Sequence, residues 1–228
     1  AIAQVNLKRI KPQPSLAQIV ADQIREAIRT GTLPLGENIS EDRLVTQFGV
    51  SRSPIRDAMA MLSNEGLVVV RPKRGSFVFE TSLEDISQIC DYRQLLEGQA
   101  ARAALRFAPE DYLSDMKQIL AEMDAAMAAG QHQTYSLLDN DFHRVAFDRC
   151  GNSYLRDAYA RVSGRISALR SNVTAPYSER REESLVEHHM IYGHLCDRSM
   201  ELFDAALEVH IQRTKQVYSA ALAEGYLG

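Results

Sequence analysis

GVSRSPIRDAM, residues 49–59, reads as the entrance to a helix that presents two arginines on one side. Gly49 permits a tight turn, Ser51 or Ser53 can cap the helix, and Pro54 lies near its first turn, where a missing N–H costs nothing. Arg52 and Arg56 are four residues apart, so they project from the same face. The helix should run to about Asn64 before Gly66 breaks it. Upstream, LAQIVADQIREAIRT (16–30) repeats apolar residues at helical spacing between Ser15 and Gly31, GTLPLGEN is a turn-rich connector, and Ser40 caps a short helix through Phe48. Downstream, LVVVR and SFVFE are β-branched and aromatic runs separated by PKRG, a two-stranded hairpin over 67–80. Three short helices followed by a hairpin is the order of a winged helix-turn-helix.

That order gives the charges a use. In a helix-turn-helix the second helix of the motif enters the major groove and its first residues reach base edges. Ser51 and Ser53 offer hydroxyls and a helix N-terminus to phosphates, while Arg52 and Arg56 can reach guanine edges or phosphates. Lys73, Arg74 and Gly75 form a basic hairpin tip, and Lys8, Arg9 and Lys11 could form a basic arm. Two surface arginines alone would be ordinary solvated charges, with Asp57 available as a partner. The net charge of −4 supports the DNA reading, because residues 1–80 carry +3 and the remainder −7. Only the front half is built to meet a polyanion.

From Ser82 onward the sequence reads as helix. Ser82-x-x-Asp85 has the form of a capping box and opens a helix to about Phe107. Further helices are expected over roughly 109–129, 133–149, 153–173, 181–197 and 199–224, with GN at 151–152 and TAPYS at 174–178 between them. The expected fold is mainly α: a winged helix-turn-helix over residues 1–80, then an all-α bundle over residues 81–228. No apolar run reaches the length of a membrane helix, and the N-terminal AIAQVNLKRIKPQPS lacks the apolar stretch of a secretory signal. Cys90, Cys150 and Cys196 show no C-x-x-C spacing, which points to reduced thiols and a cytoplasmic setting.

Within the helical half, LLDNDFHRVAF (137–147) places Asp139 and His143 inside an apolar arc, about 40° apart and one turn from each other. His188 and His210 also fall on the apolar faces of their helices, whereas His194 falls on a polar side. Taken singly, each is a hydrogen-bonded core histidine, and Asp139–His143 an ordinary i, i+4 pair. Taken together, three inward imidazoles and one carboxylate on three helices make an N₃O metal site. Zinc is the first expectation, with nickel, manganese or iron compatible with the same donors. Arg93 and Glu97 break another apolar arc, either as a buried ion pair joining helices or with Arg93 meeting the carboxylate of a bound acid.

The stretch GTLPLGENISEDRLVTQFGVSRSPIRDAMAMLSNEGLVVVRPKRGSFVF (31–79) resembles the N-terminal domain of GntR-family bacterial transcription regulators. Their pattern runs G-x-L-x-P-G-x-x-L-S-E, L-A-x-x-x-G-V-S-R-x-P-V-R-x-A-L, L-x-x-x-G-L-V and R-G-x-x-V. The resemblance implies DNA contacts at Ser51, Arg52, Ser53, Pro54, Arg56, Arg74 and Gly75. Where the family often has an arginine just after S-E, this chain has Asp42, and Arg43 one place later is the residue that would take that phosphate contact. The helical half resembles the FCD effector domain of the FadR-type subfamily, through Asp139-x₃-His143, CGN at 150–152, EHHMI at 187–191 and the histidine of EVHIQ, His210. The resemblance implies the metal-binding branch, with His188 as ligand and His189 as second choice, and an R-x-x-x-E pair at Arg93 and Glu97 facing the effector.

The expected protein is therefore a ligand-responsive repressor. It would be a homodimer on a short palindromic operator in double-stranded DNA, released when a small carboxylate binds at the metal. A metal-dependent hydrolase would need an open metal position and a general base. Here four positions are filled and no unassigned carboxylate stands as base. A purely structural metal is the third reading.

Overall fold

The computed structural model describes residues 13–173 and 178–227. The expected arm residues Lys8, Arg9 and Lys11 lie outside them. Helix α1 (Leu16–Arg29) is capped by Ser15, whose hydroxyl accepts from the Gln18 N–H at 3.1 Å, and it buries Val20, Ala21, Ile24 and Ile28 on one side. Helix α2 (Glu41–Phe48) is capped by Ser40 and stopped by Gly49, whose φ of +64° is a left-handed conformation that glycine adopts without strain. Helix α3 (Arg52–Asn64) packs Ile55, Ala58, Met59 and Leu62 inward. Strands β2 (Val68–Arg71) and β3 (Gly75–Val78) form the antiparallel hairpin.

A third strand was not expected from the sequence. β1 (Asn38–Ile39) pairs antiparallel with β3, Asn38 opposite Phe77 and Ile39 opposite Ser76, giving the order β1-β3-β2. Two residues are too few to show an alternating pattern, so the pairing comes from the tertiary position of the connector.

Six further helices follow among the described residues: α4 (Leu83–Phe107), α5 (Pro109–Ala128), α6 (His132–Arg149), α7 (Ser153–Val173), α8 (Ser178–Cys196) and α9 (Met200–Ala223). α4 packs against α5, α6, α7 and α9, and α8 closes the bundle on α5 and α9. Half of the expected capping box forms. Ser82 accepts from the Asp85 N–H at 3.1 Å. The Asp85 carboxylate does not close the box: it bonds the Thr81 hydroxyl at 3.2 Å and Arg165 of α7 at 2.5 Å.

The three-helix head rests on α7. Arg29 donates to the Ser167 hydroxyl at 3.3 Å, and Ser171 donates to the Arg29 carbonyl at 2.5 Å. Leu67 packs so closely on Gly164 that an added Cβ would sit 3.2 Å from its methyl carbons. The Arg165 guanidinium lies 4.6 Å from the centre of the Phe79 ring.

Candidate functional site

The head exposes the residues expected to meet DNA. Ser51, Arg52, Ser53 and Arg56 lie at the start of α3, Arg43 on α2, and Arg74 and Gly75 at the hairpin tip, all exposed, while Pro54 is half-buried. Ser51 occupies the N-cap position of α3 but makes no side-chain capping hydrogen bond there. The arginines do not pair with Asp57. Arg52 lies 2.5 Å from Asp42, and Arg56 3.6 Å from Glu41, both on α2. Asp42 thus stands beside a guanidinium expected to meet DNA.

In the bundle, α6, α8 and α9 bring His143, His188 and His210 together, their ligand nitrogens all within 4.8 Å of one another. All three rings are buried. The Nε2 of His143 is 3.2 Å from that of His210 and 3.4 Å from that of His188. Asp139 borders the set: one carboxylate oxygen is 3.2 Å from His188 Nε2, and the other is bound by Arg170 of α7. His189 points elsewhere, bonding Asp124 at 3.0 Å in a half-exposed position.

Two carboxylates set the tautomers. Glu97 accepts from His143 Nδ1 at 2.8 Å, and Glu187 from His210 Nδ1 at 3.0 Å. With the proton on Nδ1, each Nε2 carries a lone pair. Burial, and then Arg93, lowers the pKa of His143 well below the usual imidazole range. Burial with His210 lowers His188 to about 3, and burial with Arg93 lowers His210 to about 4, so all three rings are neutral donors near pH 7. Burial opposes ionisation of Asp139, but Arg170 and the imidazoles outweigh it and hold its carboxyl well below the usual range.

This donor set fits a divalent cation. Two facing lone pairs 3.2 Å apart repel unless positive charge lies between them. Nitrogens about 2.1 Å from one ion are separated by about 3.0 Å at right angles and about 3.4 Å at tetrahedral angles, which brackets the observed distances. Nδ1 of His188 has no protein partner among the described residues.

Arg93 is fully buried and bonds Glu97 at 2.8 Å, while its Nη1 and Nη2 have no protein partner among the described residues. It is not among the residues lining the cavity beside the cluster; it bonds Glu97, which in turn holds His143. That cavity, about 90 Å³, is lined by Asp139 and His210 together with Arg170, Arg181 and Arg213. Tyr135 also lines it, whereas Tyr92 bonds the Ala158 carbonyl at 3.1 Å. Sequence reasoning missed Arg170 and Arg181 altogether. It paired Glu97 with Arg93 alone and quoted Glu187 only as part of a motif.

Comparison with known proteins gives these two sites their context. Residues 16–78 match the model of the gntR family of bacterial regulatory proteins, and residues 88–213 that of the FCD domain. The chain is 29% identical over 222 residues to the HTH-type transcriptional regulator YdhC of Bacillus subtilis, covering 96% of this chain and 98% of YdhC. It is 26% identical over 209 residues to the HTH-type transcriptional repressor RspR of Escherichia coli, covering 90% and 89%. The solved structure of E. coli McbR/YncC shares the fold, with a TM-score of 0.80 at 19% identity over 92% of this chain and all of that one. No described helix is long and apolar enough to cross a membrane. The chain therefore belongs to the gntR family of bacterial regulatory proteins and carries an FCD domain, which makes it a transcription regulator and not an enzyme.

Proposed function

We propose that this regulator is a cytoplasmic repressor that binds a short palindromic operator as a homodimer and lets go when a small organic acid enters the FCD cavity. Residues 1–80 would be the DNA-binding unit and 81–228 the sensing and dimerising unit. Arg52 and Arg56 would read base edges, with Ser51, Ser53, Pro54, Arg43, Arg74 and Gly75 positioning the head on the backbone. The repressor sign follows RspR, which bears that description.

His143, His188 and His210 would hold a divalent metal, zinc before nickel, manganese or iron, with Asp139 as the fourth ligand. The metal would supply a Lewis-acidic position for a carboxylate oxygen. The observation that carries this reading is the convergence of three buried imidazoles, two of them oriented through Nδ1 by Glu97 and Glu187. Such outer carboxylates fix ring orientation and raise ligand basicity. Arg93, bonded to Glu97, would meet a carboxylate of the acid on the histidine side of the site. An acid that binds one arrangement of the heads better than another shifts the balance by that difference in affinity.

The test combines elemental analysis and gel shifts. The purified chain should carry about one metal ion per subunit, and Asp139→Ala with His143→Ala should strip it. Arg52→Ala and Arg56→Ala should each abolish operator binding in a folded dimer. Equal metal in the double variant, or unchanged gel shifts in both arginine variants, would sink the assignment.

A further inference from the structure

We infer that Arg181 forms an anion subsite in the FCD cavity, and that the effector is a small acid with two anionic ends, one on the histidine side and one on Arg181. The inference rests on the proposed acid-binding role of that cavity. Arg181 is 7% exposed and lines the same cavity as Asp139 and His210. Its Nε and Nη1 are buried and have no acceptor among the described residues.

The other arginines of the cavity are already engaged. Arg170 binds Asp139 and Asn140. Arg213 binds Glu183 at 3.2 Å and Glu187 at 2.9 Å, and Arg180, half-exposed, lies 3.8 Å from Glu183. A buried guanidinium without acceptors is costly to maintain, and its unpartnered N–H groups can each donate to an anionic oxygen. The Tyr135 hydroxyl donates to the Arg181 carbonyl at 3.2 Å, fixing this turn of α8 against α6. Two cationic positions select the ligand class: the proposed metal on the histidine side and Arg181 can each take one anionic end of a diacid, whereas a monoacid fills only one of them. Size limits it further. At 10–15 Å³ per water-sized position, the volume admits roughly six to nine such positions, enough for an acid of a few carbons.

The experiment is calorimetric titration of the zinc-loaded full-length protein with matched pairs: succinate and butyrate, glutarate and pentanoate, adipate and hexanoate. At least one diacid should bind about ten-fold or more tighter than its monoacid. Arg181→Gln should reduce that preference to about two-fold or less while leaving monoacid affinity in place. Arg181→Lys, which keeps the charge but not the fork, should retain part of the preference. Absence of preference in every pair, including absence of binding, overturns the inference, as does an equal loss for both members of a pair in a folded Arg181→Gln protein. Chelator-stripped wild type separates the two readings. If both members bind as before with the preference intact, the metal role fails and Arg181 stands; if both are lost, the metal role holds.

Discussion

At the scale of single residues, Glu97 and Glu187 perform the same service for two imidazoles at different structural cost. Glu187 shares its charge with Arg213, which is 31% exposed and can turn to water. Glu97 is the only ion-pair partner of Arg93 among the described residues, and Arg93 has no exposure at all. Glu187→Gln should therefore lower metal affinity about ten- to a hundred-fold with little change in melting temperature, read by competition with a chelating dye. Glu97→Gln should also destabilise the fold by about 3–5 kcal/mol, because it leaves a buried guanidinium unbalanced. Equal melting temperatures for the two variants would contradict this. The candidate ligands were legible because Asp139, His143, His188 and His210 each interrupt an apolar face. Arg170 and Arg181 were not, since an arginine in a polar stretch such as SERREES is ordinary until tertiary packing buries it.

At the scale of elements, local signals decided most boundaries. Caps at Ser15, Ser40 and Ser82 and the stop at Gly49 sit where composition alone places them. What escaped was pairing over distance: the two-residue β1, and the diversion of Asp85 from its own helix to Arg165. The Ser82 cap remains a local device and can be tested as one. Ser82→Ala should cost about 1 kcal/mol and lower the melting temperature by roughly 2–4 °C in a chain of this size. A drop several times larger would mean that Ser82 serves the head–bundle junction and not only α4.

At the scale of the whole molecule, polar contacts run without a gap from the histidine cluster to the DNA-binding head. Asp139 binds Arg170, Arg170 binds Asn140, Asn140 donates to Ser167 at 2.8 Å, and Ser167 accepts from Arg29 of α1. Adjacency of this kind becomes coupling only if both ends bias it. Asn140→Ala and Ser167→Ala should leave acid binding and acid-free operator affinity close to wild type, while cutting acid-induced release about three- to thirty-fold. Calorimetry and gel shifts on the same preparations check this, and an undiminished acid response would remove the route.

The contact between Arg52 and Asp42 bears on how DNA perceives this protein. A guanidinium that rests beside its own carboxylate offers a polyanion a dipole where an inventory of basic residues counts a full charge. Approaching phosphates would release fewer counterions than Arg43, Arg52, Arg56, Lys73 and Arg74 imply, so non-specific association would fall less steeply with added salt than about 0.9 per contacted phosphate for five contacts. A regulator arranged in this way would cling weakly to the bulk of the chromosome. It would commit Arg52 only where a guanine edge can outcompete a neighbour that never diffuses away.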